Sequence, residues 1–367
     1  MKTLFKTAFF IFFSCWINLA MAQKVDLTSL NAFWKIADRL KQGDTLSRHE
    51  WKSFLALEGN KVYIENQAFN EQFLENYRKT LQFVYNPNNA ARLKKMMEDK
   101  LNNWIAYKIN QYKDHEQILK GYAAHLQEPT YLDSIYKQCW EWLPKRLQVK
   151  TPETKIFIIG IDNDALVDRN GIVFTLWNVY NQDKLKYGIV GAHELHHILR
   201  RQRSLKAANP ADEGILYALQ AVLNEGSADM IDKKYSFDPS KEIVYEYHFE
   251  EFLLNRPDSI IKQLDMGMQL MAQTKATTFK TVKQYRSLMN YSSGHNPGYY
   301  MADIMVRNGY RKQLVANIQN PFYFVYLYNK AAKKDKKHPP LFSKAAIDFC
   351  RQLERRYWKA ERDQPSS

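Results

Sequence analysis

The sequence predicts a mainly α-helical fold with one small β element, an α+β arrangement, and three observations carry that prediction. Apolar residues recur at three- and four-residue spacing from residue 25 to about 148, and the chain is again mostly helical in pattern beyond Pro239. Between those stretches, residues 155–160 and 171–177 are compact and rich in β-branched side chains, with turn-forming Asp162-Asn163-Asp164 and Asp168-Arg169-Asn170 between them. The 45% hydrophobic and 25% charged content of the 367 residues is that of a folded globular protein with a sizeable core.

Taken in order, residues 1–22 read as an export signal. Lys2 and Lys6 give a positive start, an apolar run follows, and Ala20-Met21-Ala22 has the small-x-small pattern of a cleavage site. Residues 23–150 form a helical region. Ser47-Arg48-His49-Glu50 is a capping box, and further helices are expected over 70–85, 89–112 and 116–126. Residues 151–235 hold the two strands, then a helix from near Asp183 to about Arg201. Asn209-Pro210-Ala211-Asp212-Glu213 opens another helix running to about Asp232, with a capping residue, a first-turn proline and acids at the positive helix end. Residues 236–362 are helical again, broken at Tyr291-Ser292-Ser293-Gly294-His295-Asn296-Pro297-Gly298, and 363–367 form a frayed tail.

The net charge is +14, but the basic residues are scattered along helices. The densest run, Lys333-Lys334-Asp335-Lys336-Lys337-His338, reads as a solvated loop. Export argues against a nucleic-acid partner and leaves weak contact with anionic envelope surfaces open. No segment after the leader is apolar enough to span a bilayer. Cys139 and Cys350, the two cysteines beyond the leader, are too far apart in sequence for a zinc knuckle, and sequence does not decide whether they pair.

The chemistry concentrates in Gly191-Ala192-His193-Glu194-Leu195-His196-His197. Four residues make just over one helical turn, so His193 and His197 leave one face and can grip a single cation. Glu194 lies beside that face, where a carboxylate can act as general base toward metal-activated water. His196 reads as a core or supporting residue. The pattern arises by accident in roughly one chain in a hundred of this composition, so it needs a second signal. Leu223-Asn224-Glu225-Gly226-Ser227-Ala228-Asp229 supplies one. Glu225 can complete a two-histidine, one-carboxylate set, and Asp229, one turn on, can orient a histidine ligand. Gly191 and Gly226 would let the two helices pack closely. Glu213 is the weaker ligand, because Tyr217 stands one turn beyond it. A metzincin is excluded, because Arg200 and Arg203 occupy the positions where it needs glycine and a third histidine.

The two motifs together resemble the gluzincin metallopeptidases, the thermolysin-like group, whose second motif N-E-x-x-x-D falls on Asn224, Glu225 and Asp229. The likeness covers about residues 155–232; the chain as a whole is similar to exported bacterial families of zinc-dependent peptidases. It implies a zincin-like catalytic core flanked by helical regions and one catalytic Zn2+ on His193, His197 and Glu225. Glu194 would be the base, with Asp229 and Asn224 supporting the ligands. It also implies a substrate-binding strand at Phe174-Thr175-Leu176-Trp177-Asn178, with Thr175, Trp177 and Asn178 contacting an extended peptide. His295, Tyr299 and Tyr300, at the loop-to-helix break, are candidate oxyanion donors. The expected activity is zinc-dependent hydrolysis of a peptide or protein substrate, periplasmic or secreted. A zinc hydrolase of other amides or esters, and an inactive exported binding protein, are the alternatives.

Overall fold

The computed structural model describes residues 25–168 and 171–359. The expected leader at 1–22 and the expected frayed tail at 363–367 lie outside the described residues. Helices dominate, and four short strands, β1 (Val25–Asp26), β2 (Lys155–Ile159), β3 (Ala165–Asp168) and β4 (Gly171–Thr175), form one sheet in the order β1-β2-β4-β3. β1 and β4 run parallel to β2, while β3 closes one edge antiparallel to β4. Every residue of β4 and all but Lys155 of β2 are buried. Both faces are therefore covered, which is why these strands read as continuous apolar runs.

Local chemistry sets the helix ends. The Ser47 side chain accepts from Glu50 N–H while Glu50 reaches back to Ser47 N–H, so the capping box is formed. Asn70 caps Glu71–Tyr85, and Asn209 caps Pro210–Asp232. The single helix expected over 89–112 is two, Ala90–Met96 and Trp104–Asp114. Between them Asp99 accepts from Asn102, and the Asn103 amide donates to the Met96 and Asp99 carbonyls. These side chains offer the backbone local partners that compete with a continuous helix.

The strand expected over 171–177 ends at Thr175, and Leu176–Leu185 is helix. Tyr112 O–H accepts the Trp177 N–H at 3.2 Å, satisfying a first-turn donor. The next helix, Ile189–Arg200, begins after Gly188 at φ 80°, a backbone position glycine tolerates without strain. Asp183 accepts the Gly188 N–H at 2.8 Å, so the helix begins later than Asp183.

One apolar core extends from Leu30 to Trp358. Cys139 and Cys350 are both buried and free. Among the described residues, no helix is long and apolar enough to cross a membrane.

Candidate metal centre

Three helices build the site. Ile189–Arg200 carries His193, Glu194 and His197; Pro210–Asp232 carries Asn224, Glu225, Asp229 and Asp232; His295–Arg307 begins with His295. The second and third approach backbone to backbone. A Cβ on Gly226 would stand 2.4 Å from the Gly298 backbone, and one on Gly298 2.5 Å from the Val222 carbonyl oxygen. Real Cβ atoms do not come so close, so these glycines are required for the crossing that brings His295 beside Asp229. Gly226 therefore serves a different contact from the one expected of it. Gly191 faces Ile135 of helix Pro129–Trp140 rather than the glutamate helix.

The imidazoles converge on one carboxylate oxygen. Glu225 Oε2 lies 3.4 Å from His197 Nε2, 3.8 Å from His193 Nε2 and 3.4 Å from His295 Nε2. Each ring is held from behind by an acceptor. His193 Nδ1 meets Asp232 Oδ1 at 3.0 Å, His197 Nδ1 meets Asn224 Oδ1 at 3.2 Å, and His295 Nδ1 meets both Asp229 oxygens at 2.9 and 3.0 Å. An acceptor on Nδ1 fixes the neutral ring with its lone pair at Nε2. In their neutral state the three rings present Nε2 lone pairs to the Glu225 carboxylate, an arrangement that a cation between them would satisfy.

Two groups of described side chains could hold a metal ion, His193, His197 and Glu225, and His193, Asp229 and Asp232. In the first, the separations match the edge of a tetrahedron of ligands about a zinc ion, about 3.4 Å. In the second, the carboxylates already have partners. Asp232 Oδ2 accepts from Lys233 Nζ at 2.6 Å, and Asp229 accepts from His295.

Charge in the site follows the same pattern. Burial alone would raise the Glu225 carboxyl, but His197, His295 and His193 hold it well below its ordinary value. Burial would lower His193, but Asp232 and Glu225 raise it well above the usual imidazole value. Glu194 is pushed up by burial, against the pull of His193 and His197. Asn224 is a clamp: its Oδ1 also accepts from Arg200, and its Nδ2 donates to Glu225 Oε1 at 2.8 Å.

These groups line a cleft of about 820 Å³. Its other walls are residues 162–167, including outer strand β3, with Asn178, Lys233, Glu246 and a rim of Trp104, Tyr247, Phe249, Phe252 and Tyr291.

Other expected residues lie elsewhere. Asp229, expected behind a ligand histidine, is 4.0 Å from His193 Nδ1 and serves His295 instead. Tyr299 stacks on Phe237, and with Tyr300 it lines a separate cavity beside Arg256 and Asp258. Thr175 is fully buried in inner strand β4, which is paired on both sides and so has no edge to offer a peptide. Trp177 is in the core with its Nε1–H on Glu246 at 3.0 Å. Asn178 reaches the cleft from a helix, not a strand. His196 is fully buried and lines no part of the cleft. Asp232 is not among the expected residues, although the sequence carries its signal: Glu225, Asp229 and Asp232 stand at i, i+4 and i+7, one helix face. Asp164, Lys233 and Glu246 carry no such signal.

A family profile described as "Putative zinc dependent peptidase (DUF5700)" matches residues 51–337, a span that takes in β2, β3, β4 and all three helices of the site. No curated protein and no solved structure matches the chain.

Proposed function

The chain belongs to the family described as a putative zinc dependent peptidase, and from that premise we propose that it hydrolyses peptide bonds with one zinc ion, in the manner of a gluzincin. The observation that carries the reading is the convergence of His193, His197 and Glu225, with each imidazole held at Nδ1 so that Nε2 is free to bind. His193, His197 and Glu225 would hold the ion, and Asp232 and Asn224 would keep the rings in register. When bound, zinc supplies Lewis acidity toward a carbonyl oxygen and toward water.

The chain's own residues do the rest. Glu194, buried in the cleft wall beside the ligands, takes a proton from the attacking water and passes it to the leaving amine. Its burial raises its proton affinity, which suits a group that must both accept and release. His295, whose proton affinity Asp229 and Glu225 raise against the effect of burial, aims Nε2 at the same space and, when protonated there, donates to the carbonyl oxygen as negative charge develops. Outer strand β3, which lines the cleft, is the wall along which an extended peptide would lie, in place of 174–178. The signal-like residues 1–22 support action outside the cytoplasm.

The test is Glu194→Gln. It is expected to keep zinc, measured by elemental analysis, and to lose about 10²–10⁴ of the peptidase rate. Chelation should abolish wild-type activity and added zinc restore it. A Glu194→Gln variant as active as wild type would overturn the assignment.

A further inference from the structure

The chain is strongly basic, yet two carboxylates in the cleft wall form no ion pair with a basic side chain among the described residues. Glu246 is held by neutral donors, Oε1 by Trp177 Nε1–H and Oε2 by Tyr107 O–H, both at 3.0 Å. Asp164 is held by Gln67 Nε2 at 3.3 Å and Ala165 N–H at 2.9 Å, also neutral. The nearby ammonium groups are committed elsewhere, Lys108 to Asp162 and Lys233 to Asp232. Burial pushes the Asp164 carboxyl up, against the pull of Lys233 and His295, so a cation placed beside it would stabilise its charged form.

A separate observation points to a donor. Asn178 lines the same wall and is 6% exposed, and its Oδ1 has no hydrogen-bond partner. Its Nδ2 donates at 3.3 Å to the Asn163 carbonyl, which also accepts from Tyr247 O–H at 3.3 Å. That shared carbonyl ties Asn178 to the residues next to Asp164 and Glu246. An acceptor buried without a donor is costly, and a turn of the Asn178 amide toward the cleft would let a guanidinium or ammonium, which only donates, satisfy it together with the carboxylates. Asp164 also acts electrostatically on Glu194 and His295, so this wall adjoins the proposed catalytic groups.

We infer that Asp164, Glu246 and Asn178 form a subsite for a cationic group of the substrate, a basic side chain or a free N-terminal ammonium close to the scissile bond. The inference rests on the peptidase reading of the cleft and names its substrate class.

The test uses the zinc-loaded full chain and matched peptides in which arginine is exchanged for citrulline, its neutral counterpart of similar shape, at each position around the cleaved bond. Each peptide is made with a free and an acetylated N-terminus, to distinguish the two sources of charge. The cationic form is expected to have a kcat/KM about tenfold higher or more. In the double variant Asp164→Asn, Glu246→Gln the ratio should fall to about one. Equal kcat/KM for charged and neutral peptides in wild type, or a ratio that survives the double variant, overturns the inference. Calorimetric titration of the same peptides separates its failure from that of the hydrolytic reading. Should no peptide be cleaved, charge-selective binding that the double variant loses upholds the subsite alone, and equal binding of arginine and citrulline peptides overturns it.

Discussion

Asp232→Asn is the substitution that most directly tests how the proposed metal ligands are held. Both oxygens of Asp232 are in use, Oδ1 by His193 Nδ1–H at 3.0 Å and Oδ2 by Lys233 Nζ at 2.6 Å. Asparagine fills the same space with one acceptor oxygen, so it can serve the ring or the ammonium but not both. The Lys233 ammonium is the more costly group to strand, its side chain being 11% exposed, and the amide oxygen is expected to turn toward it. His193 then loses the partner that fixes its tautomer and ring angle. Loss of such a partner lowers metal affinity about 10–100-fold, or about 1.4–2.8 kcal/mol at 1.4 kcal/mol per factor of ten. Competition against a fluorescent zinc chelator measures this, with circular dichroism to confirm the fold. Asp229→Asn is the matched control, because Asp229 holds His295 instead. It should reduce kcat while changing zinc affinity less than about threefold. The reasoning fails if Asp229→Asn weakens zinc binding and Asp232→Asn does not, since the roles of the two acids would then be reversed.

Further outcomes follow from packing and burial. Gly226→Ala would put a Cβ 2.4 Å from the Gly298 backbone, and forcing the helices apart should cost roughly 1–3 kcal/mol. At about 2–4 °C per kcal/mol, calorimetry should show a lower Tm, and displacement of His295 should reduce hydrolysis more than zinc affinity. Burial raises the Asp183 carboxyl from 3.8 to about 7, against the donors Tyr122 and Gly188. The folded state therefore binds this proton more tightly than the unfolded state, and stability falls as pH rises from about 4 to 7, by up to about 4 kcal/mol. Asp183→Asn should flatten that part of the denaturation profile and exceed wild-type stability at pH 8; an unchanged profile would refute it. Cys139 and Cys350, buried and unpaired, should react with a thiol reagent only after denaturant is added.

Where the fold was legible, the signal was local. Ser47 and Glu50 sit three residues apart because each satisfies the other's backbone N–H, and that reciprocity can be read from four letters. The Asn209-Pro210 start and the apolar runs of β2 and β4 are equally self-contained. Failures came where a distant residue decides the backbone. Leu176 follows a β-branched run and could have continued the strand, but Tyr112, more than sixty residues earlier in the chain, accepts the Trp177 N–H and favours a helical turn instead. β1 is two residues long and exists because β2 offers it an edge, which no propensity at Val25 or Asp26 announces.

The site divides along the same line, and the division explains why a helix outside both motifs contributes to it. His193 with His197, and Glu225 with Asp229 and Asp232, are related by helical period, so either triplet or pair can be found within one segment. Nothing in a period brings His295 to them. That placement depends on three glycines, Gly226, Gly294 and Gly298, which let helices Pro210–Asp232 and His295–Arg307 meet at the backbone. A side chain at any of them would hold the helices apart and carry His295 away from the 2.9 Å contact with Asp229. The glycines are therefore part of the catalytic proposal even though none carries a functional group. The chemistry attributed to His295 should be as sensitive to a methyl group at Gly298 as to loss of the imidazole.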